Sequence, residues 1–241
     1  DAPYLPGPLP NDPKDSRWAG APRVDVRLRA TVNAAGEVTG PQTVTMVSVQ
    51  GLHNGETLAL RLAWDDPSQD DAGQPTDAVA VVLQPEGVAG DVVSLHAWPL
   101  ADSPPLDLWV WSGARAAEAW QGQDVEAITD HFEPLLTAQA GTRASWSVYE
   151  ESRWTVVMHR PLVPVDLSGA ARLSPETLAP LAFIVWDGSA GGQRVVSPWV
   201  DLRVQPRPTA QGPVPSRPRR AVVWGLSVVV LVVKKSWGGR A

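Results

Sequence analysis

Apolar side chains recur at every second residue along much of this chain, in short runs broken by Pro, Gly, Asp and Ser. Val24, Val26, Leu28 and Ala30 alternate with charged residues, and Leu58, Leu60, Leu62 and Trp64 alternate with Ala59, Arg61 and Ala63. Successive side chains of an extended chain point to opposite faces, so each run predicts a strand with one buried and one wet face. Further runs at residues 44–49, 78–83, 106–111, 154–159, 181–186 and 195–204 are bounded by the same turn formers. That spacing predicts a mainly β chain, an antiparallel β-sandwich. One stretch reads as helical: at residues 125–138, Ile128, Phe132, Leu135 and Leu136 share a face interrupted by Pro134, which predicts a short helical insertion.

The balance of residue types narrows the function. Hydrophobic residues at 44% and charged residues at 19% suit a folded domain rather than a disordered chain. A net charge of −6 gives no positive field for a phosphate backbone, so nucleic acid is not an expected partner. The absence of cysteine removes disulfides, thiolate metal sites, iron–sulfur clusters and covalent haem attachment together. Any redox cofactor is therefore held non-covalently.

Three segments are expected: a sandwich over residues 1–204, a Pro- and Arg-rich linker over 205–220 and an apolar tail over 221–241. Residues 1–15 form a Pro-rich polar arm, and the start at Asp1 reads as a mature product from which an export signal has been removed. In the tail, residues 221–233 carry no charge and lie between Arg219, Arg220 and Lys234, Lys235. As a helix this run spans about 20 Å, short of the roughly 30 Å hydrocarbon core, although Trp224, Trp237 and the basic flanks extend its reach. A membrane anchor and a strand or tail bound to a partner subunit both remain open.

Several motifs follow one another in a fixed order. An Asp12-Pro13 and Trp18 precede the first strand, and the segment from Gly51 through the Leu58–Trp64 run closes on Trp64-Asp65-Asp66-Pro67. Then come Asp77-Ala-Val-Ala-Val-Val-Leu83, Pro105-Leu-Asp-Leu-Trp109-Val-Trp111, Trp154-Thr-Val-Val-Met-His-Arg160, Leu181-Ala-Phe-Ile-Val-Trp186-Asp-Gly188 and Gly192-Gln-Arg-Val-Val-Ser-Pro-Trp199. Over about 190 residues this order resembles the haem-b-binding gamma subunits of the ethylbenzene dehydrogenase, dimethylsulfide dehydrogenase, chlorate and selenate reductase group, within the type II DMSO reductase family.

The resemblance implies a β-sandwich related to carbohydrate-binding-module-like haem domains. It also implies a non-catalytic electron-transfer subunit that relays electrons through one haem b. The expected partners are a molybdenum catalytic subunit, an iron–sulfur subunit and a c-type cytochrome, in a periplasmic or otherwise extracytoplasmic complex. In the family a Met and a Lys ligate the iron. Here Leu100 stands nearest the Met position and Arg194 at the Lys position. Leucine has no donor, and a guanidinium stays protonated without a free lone pair, so Arg194 suits a haem propionate instead. The one donor in the first loop is His96, which becomes the expected iron ligand. A subunit that has lost haem and serves for docking, and a module that binds another ligand such as a carbohydrate, are the alternatives.

Other donors are weaker. Met158 and His159 fall on opposite faces of one strand, with Met158 and Met46 expected in the core; His53 reads as a hairpin-tip residue beside Asn54-Gly55, and His131 lies in the helical insertion. The pairs Asp65-Asp66 and Asp70-Asp71 carry oxygen donors suited to calcium, but their Pro, Ser, Gln and Gly flanks read as a solvated loop. Gly188-Ser189-Ala190 lacks the strand–elbow–helix context of a hydrolase nucleophile. The strand tryptophans Trp64, Trp109, Trp111, Trp186 and Trp199 read as core.

Overall fold

The computed structural model describes residues 1–32, 35–38, 40–71, 75–84, 95, 106–113, 123–124, 144–164, 170–175 and 178–208. The proposed helical insertion, the linker beyond residue 208 and the apolar tail lie outside them. Among the described residues there are twelve strands: β1 Val24–Arg27, β2 Arg29–Ala30, β3 Met46–His53, β4 Thr57–Asp65, β5 Ala78–Leu83, β6 Asp107–Ser112, β7 Gln123–Asp124, β8 Ala144–Glu150, β9 Arg153–Pro161, β10 Leu178–Asp187, β11 Gln193–Val196 and β12 Val200–Arg203; all but β7 and β8 fall on the runs marked in the sequence. All named pairings are antiparallel.

One sheet runs β1-β3-β4-β9-β8-β7; the other runs β2-β11-β10-β5-β6, with β12 also on β10. The two sheets are joined by the chain itself. Residues 24–30 start in the first sheet as β1 and pass, across buried Leu28, into the second as β2. Such sheet-switching strands close the corner of a sandwich. Strand β10 is long enough to pair first with β12 and then with β11, and the Ser197-Pro198 break between those two is held by Ser197, whose Oγ accepts from Phe183 N at 2.8 Å. The β8–β9 hairpin turns on Glu151 and Ser152, both at positive φ (50° and 56°), as a two-residue primed turn requires.

Leu58, Leu60, Leu62, Trp64, Trp154, Val156 and Met158 from the first sheet meet Val79, Val81, Trp109, Trp111, Phe183 and Val185 from the second in one buried core. The wet face expected of the 58–64 run is covered, and a second strand has none either. In the second sheet, β5 is buried at all six positions, as a continuous Ala-Val-Ala-Val-Val-Leu run allows. In the first sheet, Ala59 and Val157 on the outer face are covered by Leu9, Trp18 and Ala21.

The covering comes from the N-terminal arm, which is therefore structural rather than merely polar. Ala2 N donates to Arg203 O and Leu5 N to His53 O, so the arm ties the end of β12 to the end of β3. Ala2 is fully buried, and a Cβ on Gly51 would come within 3.2 Å of its Cβ, so Gly51 permits that close approach. Further along, Arg61 Nε donates to Pro13 O at 2.7 Å, and Gln50 Nε2 donates to Trp18 O and Ala21 O at 2.8 Å each.

Candidate functional site

Of the residues singled out for haem, Arg194 is described, whereas His96 and Leu100 lie outside the described residues. Arg194 sits on β11 opposite Trp186, whose partner across β10 is Ala78 at the start of β5. The segment that carries His96 leaves β5 at its other end, after Leu83. Desolvation lowers the Arg194 pKa to about 10, so the side chain is still a cation at neutral pH. It keeps the character of an anion-pairing group and gains none of the character of an iron ligand.

The described donors do not fit an iron atom. Met158 is fully buried in the core, as expected, while Met46 is 44% exposed on β3, against the expectation of a core position, because it begins that strand beside the sheet edge. His53 lies at the β3–β4 turn, as expected, but is fully buried: its Nδ1 accepts from Gly55 N at 3.2 Å and its ring meets Tyr4 edge-on. His159 Nε2 bonds Pro10 O at 3.1 Å, and its ring packs on Trp146. Between the sheets, Val26, Val49, Leu60, Leu181 and Phe183 line an apolar cleft of about 80 Å³. That is well below the roughly 300 Å³ at which small-molecule pockets begin. No step through haem follows from these residues.

Chemistry is concentrated instead at the two ends of the sandwich interior. At one end Arg160 and Asp107, both fully buried, pair at 3.1 Å; Arg160 also donates to Ala171 O at 2.6 Å, and Asp107 accepts from Ala171 N at 3.0 Å. The pair bridges β9 and β6, one strand from each sheet.

At the other end three buried carboxylates converge. Asp66 follows β4, Asp77 precedes β5 and Asp187 ends β10, and one oxygen of each lies within 4.8 Å of the others. Asp77 accepts from Asp70 N at 2.8 Å, Trp154 Nε1 at 2.9 Å and Gly188 N at 2.9 Å. Asp66 Oδ1 accepts from Ser68 N, and Asp187 Oδ1 from Ser189 Oγ and Ala190 N. The second oxygens, Asp66 Oδ2 and Asp187 Oδ2, are buried without a partner. Burial pushes Asp66 up to about 6, with the neighbouring Asp77 and Asp187 charges adding to it, and burial also raises Asp77.

Next to them stand Trp64, Trp111 and Trp154, with centroids 4.9 to 6.4 Å apart, and Tyr149, whose hydroxyl donates to Asp66 O at 2.9 Å. The solvated-loop reading of Asp65-Asp66 fails for both: Asp65 is exposed but ends β4 and pairs with Arg153, and Asp66 is buried. Asp70 lies directly on the end of β10: a Cβ on Gly188 would stand 2.5 Å from Asp70 Cβ. Asp77 and Asp187 had not been linked to Asp66, although the two-residue period carries a signal, since Asp66 falls on the same inward side as Leu62 and Trp64.

The fold and these ends define an antiparallel β-sandwich with no catalytic constellation among the described residues. No protein-family profile matches the chain. Among curated proteins, the chlorate reductase subunit gamma of Ideonella dechloratans is 26% identical over 201 residues, which span 79% of this chain and 78% of that one. This similarity agrees with the order of motifs along the chain. Among solved structures, a family 9 carbohydrate-binding module of Caldicellulosiruptor kristjanssonii in complex with cellotriose is 12% identical, covering 81% of this chain and 80% of the module, with a TM-score of 0.47. The same kind of module in complex with glucose gives 10% identity, 80% and 83% coverage and a TM-score of 0.43.

Proposed function

We propose that the chain is a non-catalytic electron-transfer subunit of an extracytoplasmic molybdenum oxidoreductase complex, carrying a haem b held through His96 with Arg194 paired to a propionate. The observation that carries this reading is the similarity to a chlorate reductase gamma subunit along nearly four-fifths of both chains. A molybdenum catalytic subunit and an iron–sulfur subunit are the proposed partners, with a c-type cytochrome as the proposed exchange partner. Haem b, when bound, supplies one-electron chemistry; this chain's part is to hold it and to dock. Residues 221–233 are proposed to tether the complex to a membrane. Among the described residues no helix is long and apolar enough to cross one.

The test is purification of the complex from its native source, with a pyridine haemochrome assay. One haem b per chain, lost or spectrally altered in His96→Ala, is the expected result. A stoichiometric haem b unchanged by His96→Ala removes the ligand assignment. A haem-free complex that still contains this chain supports the docking reading, which the replacement of a lysine by Arg194 and the lack of a suitable donor among the described residues favour. Isolation as a glycan-binding monomer ends both.

A further inference from the structure

Both ends of the sandwich interior bury charge between the sheets, but only one end neutralises it. At the Arg160–Asp107 end a guanidinium meets the carboxylate. At the other end, three carboxylates from the ends of three strands converge, and none of them forms an ion pair with a described residue. Isolated buried anions are strongly disfavoured, and buried polar atoms in folded proteins find partners. Here Asp187 Oδ2, on a residue 3% exposed, has none, and Asp66 Oδ2, on a residue 0% exposed, has beside it the indole N–H of Trp64, itself without a well-formed partner. One indole N–H does not offset three convergent carboxylates, so these oxygens, distinct from those already bonded to Ser68, Ser189 and Ala190, call for a cation.

We propose that Asp66, Asp77 and Asp187 hold a structural Ca²⁺ that bridges the two sheets. Calcium takes oxygen ligands at about 2.3–2.6 Å, so any two ligands of one ion lie no more than about 5 Å apart, and one oxygen of each of these carboxylates lies within 4.8 Å of the others. Its tolerance of irregular, carboxylate-rich coordination suits a site assembled from three separate strand ends. Magnesium, which demands tighter octahedral geometry and retains its waters, suits it less. Asp77 is preorganised by its three N–H donors, one of them Trp154 Nε1. The ion would do for this end of the sandwich what Arg160 does for the other. The site stands apart from the haem reading and survives its failure.

The experiment uses the full chain, stripped with EGTA. Calorimetric titration with CaCl2 should show one site per chain, and Ca²⁺ should raise Tm above the EGTA value. Tb³⁺ should give emission sensitised through tryptophan, because Trp154 bonds directly to Asp77, and Ca²⁺ should quench that emission by displacement. Asp66→Asn and Asp187→Asn keep the side-chain shape and the bonded oxygen but remove the charge. Each should weaken Ca²⁺ binding roughly tenfold or more, since affinity follows ligand charge count. Near-UV circular dichroism of the tryptophan cluster reports whether each variant is folded. A wild-type Tm that is the same in EGTA and Ca²⁺, with no sensitised Tb³⁺ emission, overturns the proposal without recourse to any variant. So does Ca²⁺ binding that folded Asp66→Asn and Asp187→Asn leave unchanged, or an equal response to MgCl2.

Discussion

Arg160 shows how much one side chain carries when it is fully buried. Its guanidinium donates to Asp107 and to Ala171 O, and Asp107 in turn accepts from Ala171 N, so the three hold the 170–173 segment against the interior. Arg160→Met should leave the buried Asp107 carboxyl without the guanidinium, at a cost of about 3–5 kcal/mol in urea unfolding. The double change Arg160→Met with Asp107→Leu should recover part of that loss, because no buried charge is left unpaired, while Ala171 N and O still lose their partners. A double variant no more stable than the single one would show that Arg160 acts through packing rather than charge. In sequence Arg160 closed the 154–160 motif and carried no special signal; its role depends on Asp107, which lies 53 residues away. The carboxylates behave alike, since Asp66, Asp77 and Asp187 belong to three motifs whose strand ends only the topology brings together. Local periodicity set the inward side of Asp66, but the flanking Pro67 and Ser68 suggested solvent. The expectations at His96 and Arg194 rest only on comparison with a family pattern, since an iron ligand is defined by what faces the metal and not by spacing along one strand.

Among the elements, the N-terminal arm departs most from its sequence signature. A Pro-rich stretch without period reads as a loose lead-in, yet this one roofs Ala59 and Val157 and spans from β3 to β12. Prolines at 3, 6, 8, 10 and 13 fix an extended path without needing ladder donors, which is why the arm can lie flat on a sheet. The strands themselves were well marked, because the two-residue period is a direct consequence of the pleat. Two histidines pin the arm, His53 under Tyr4 and His159 under Pro10, and burial lowers both below the ordinary value of 6.5. Below that value the unfolded chain binds protons that the folded chain does not, so their contribution to stability is full above about pH 6.5 and falls as the pH drops. Asp66, pushed up to about 6, works in the opposite sense as the pH falls, so the test is a difference: the urea-unfolding stability of the wild type relative to His159→Gln, which keeps a donor for Pro10 O, should decline from pH 7.5 to 5.5. An unchanged slope in that variant would take His159 out of the account.

At the scale of the molecule, the two sheets share one core and one crossing strand. Leu28, 2% exposed, sits where the first strand leaves one sheet for the other, and the tryptophans report on both: Trp64 and Trp154 in the first, Trp109, Trp111 and Trp186 in the second. A sandwich built this way has no half that can keep its apolar face buried alone, so its unfolding should be a single transition. Over residues 1–208, far-UV circular dichroism and tryptophan fluorescence should give coincident urea curves with one midpoint. Leu28→Ala should lower that midpoint, costing about 2–5 kcal/mol for the lost methyl groups and the cavity, while the two signals still move together. If the curves separate in the variant, with fluorescence changing before the backbone signal, the sheets would be independent units joined only by a linker, and Leu28 would be a hinge rather than a shared core residue.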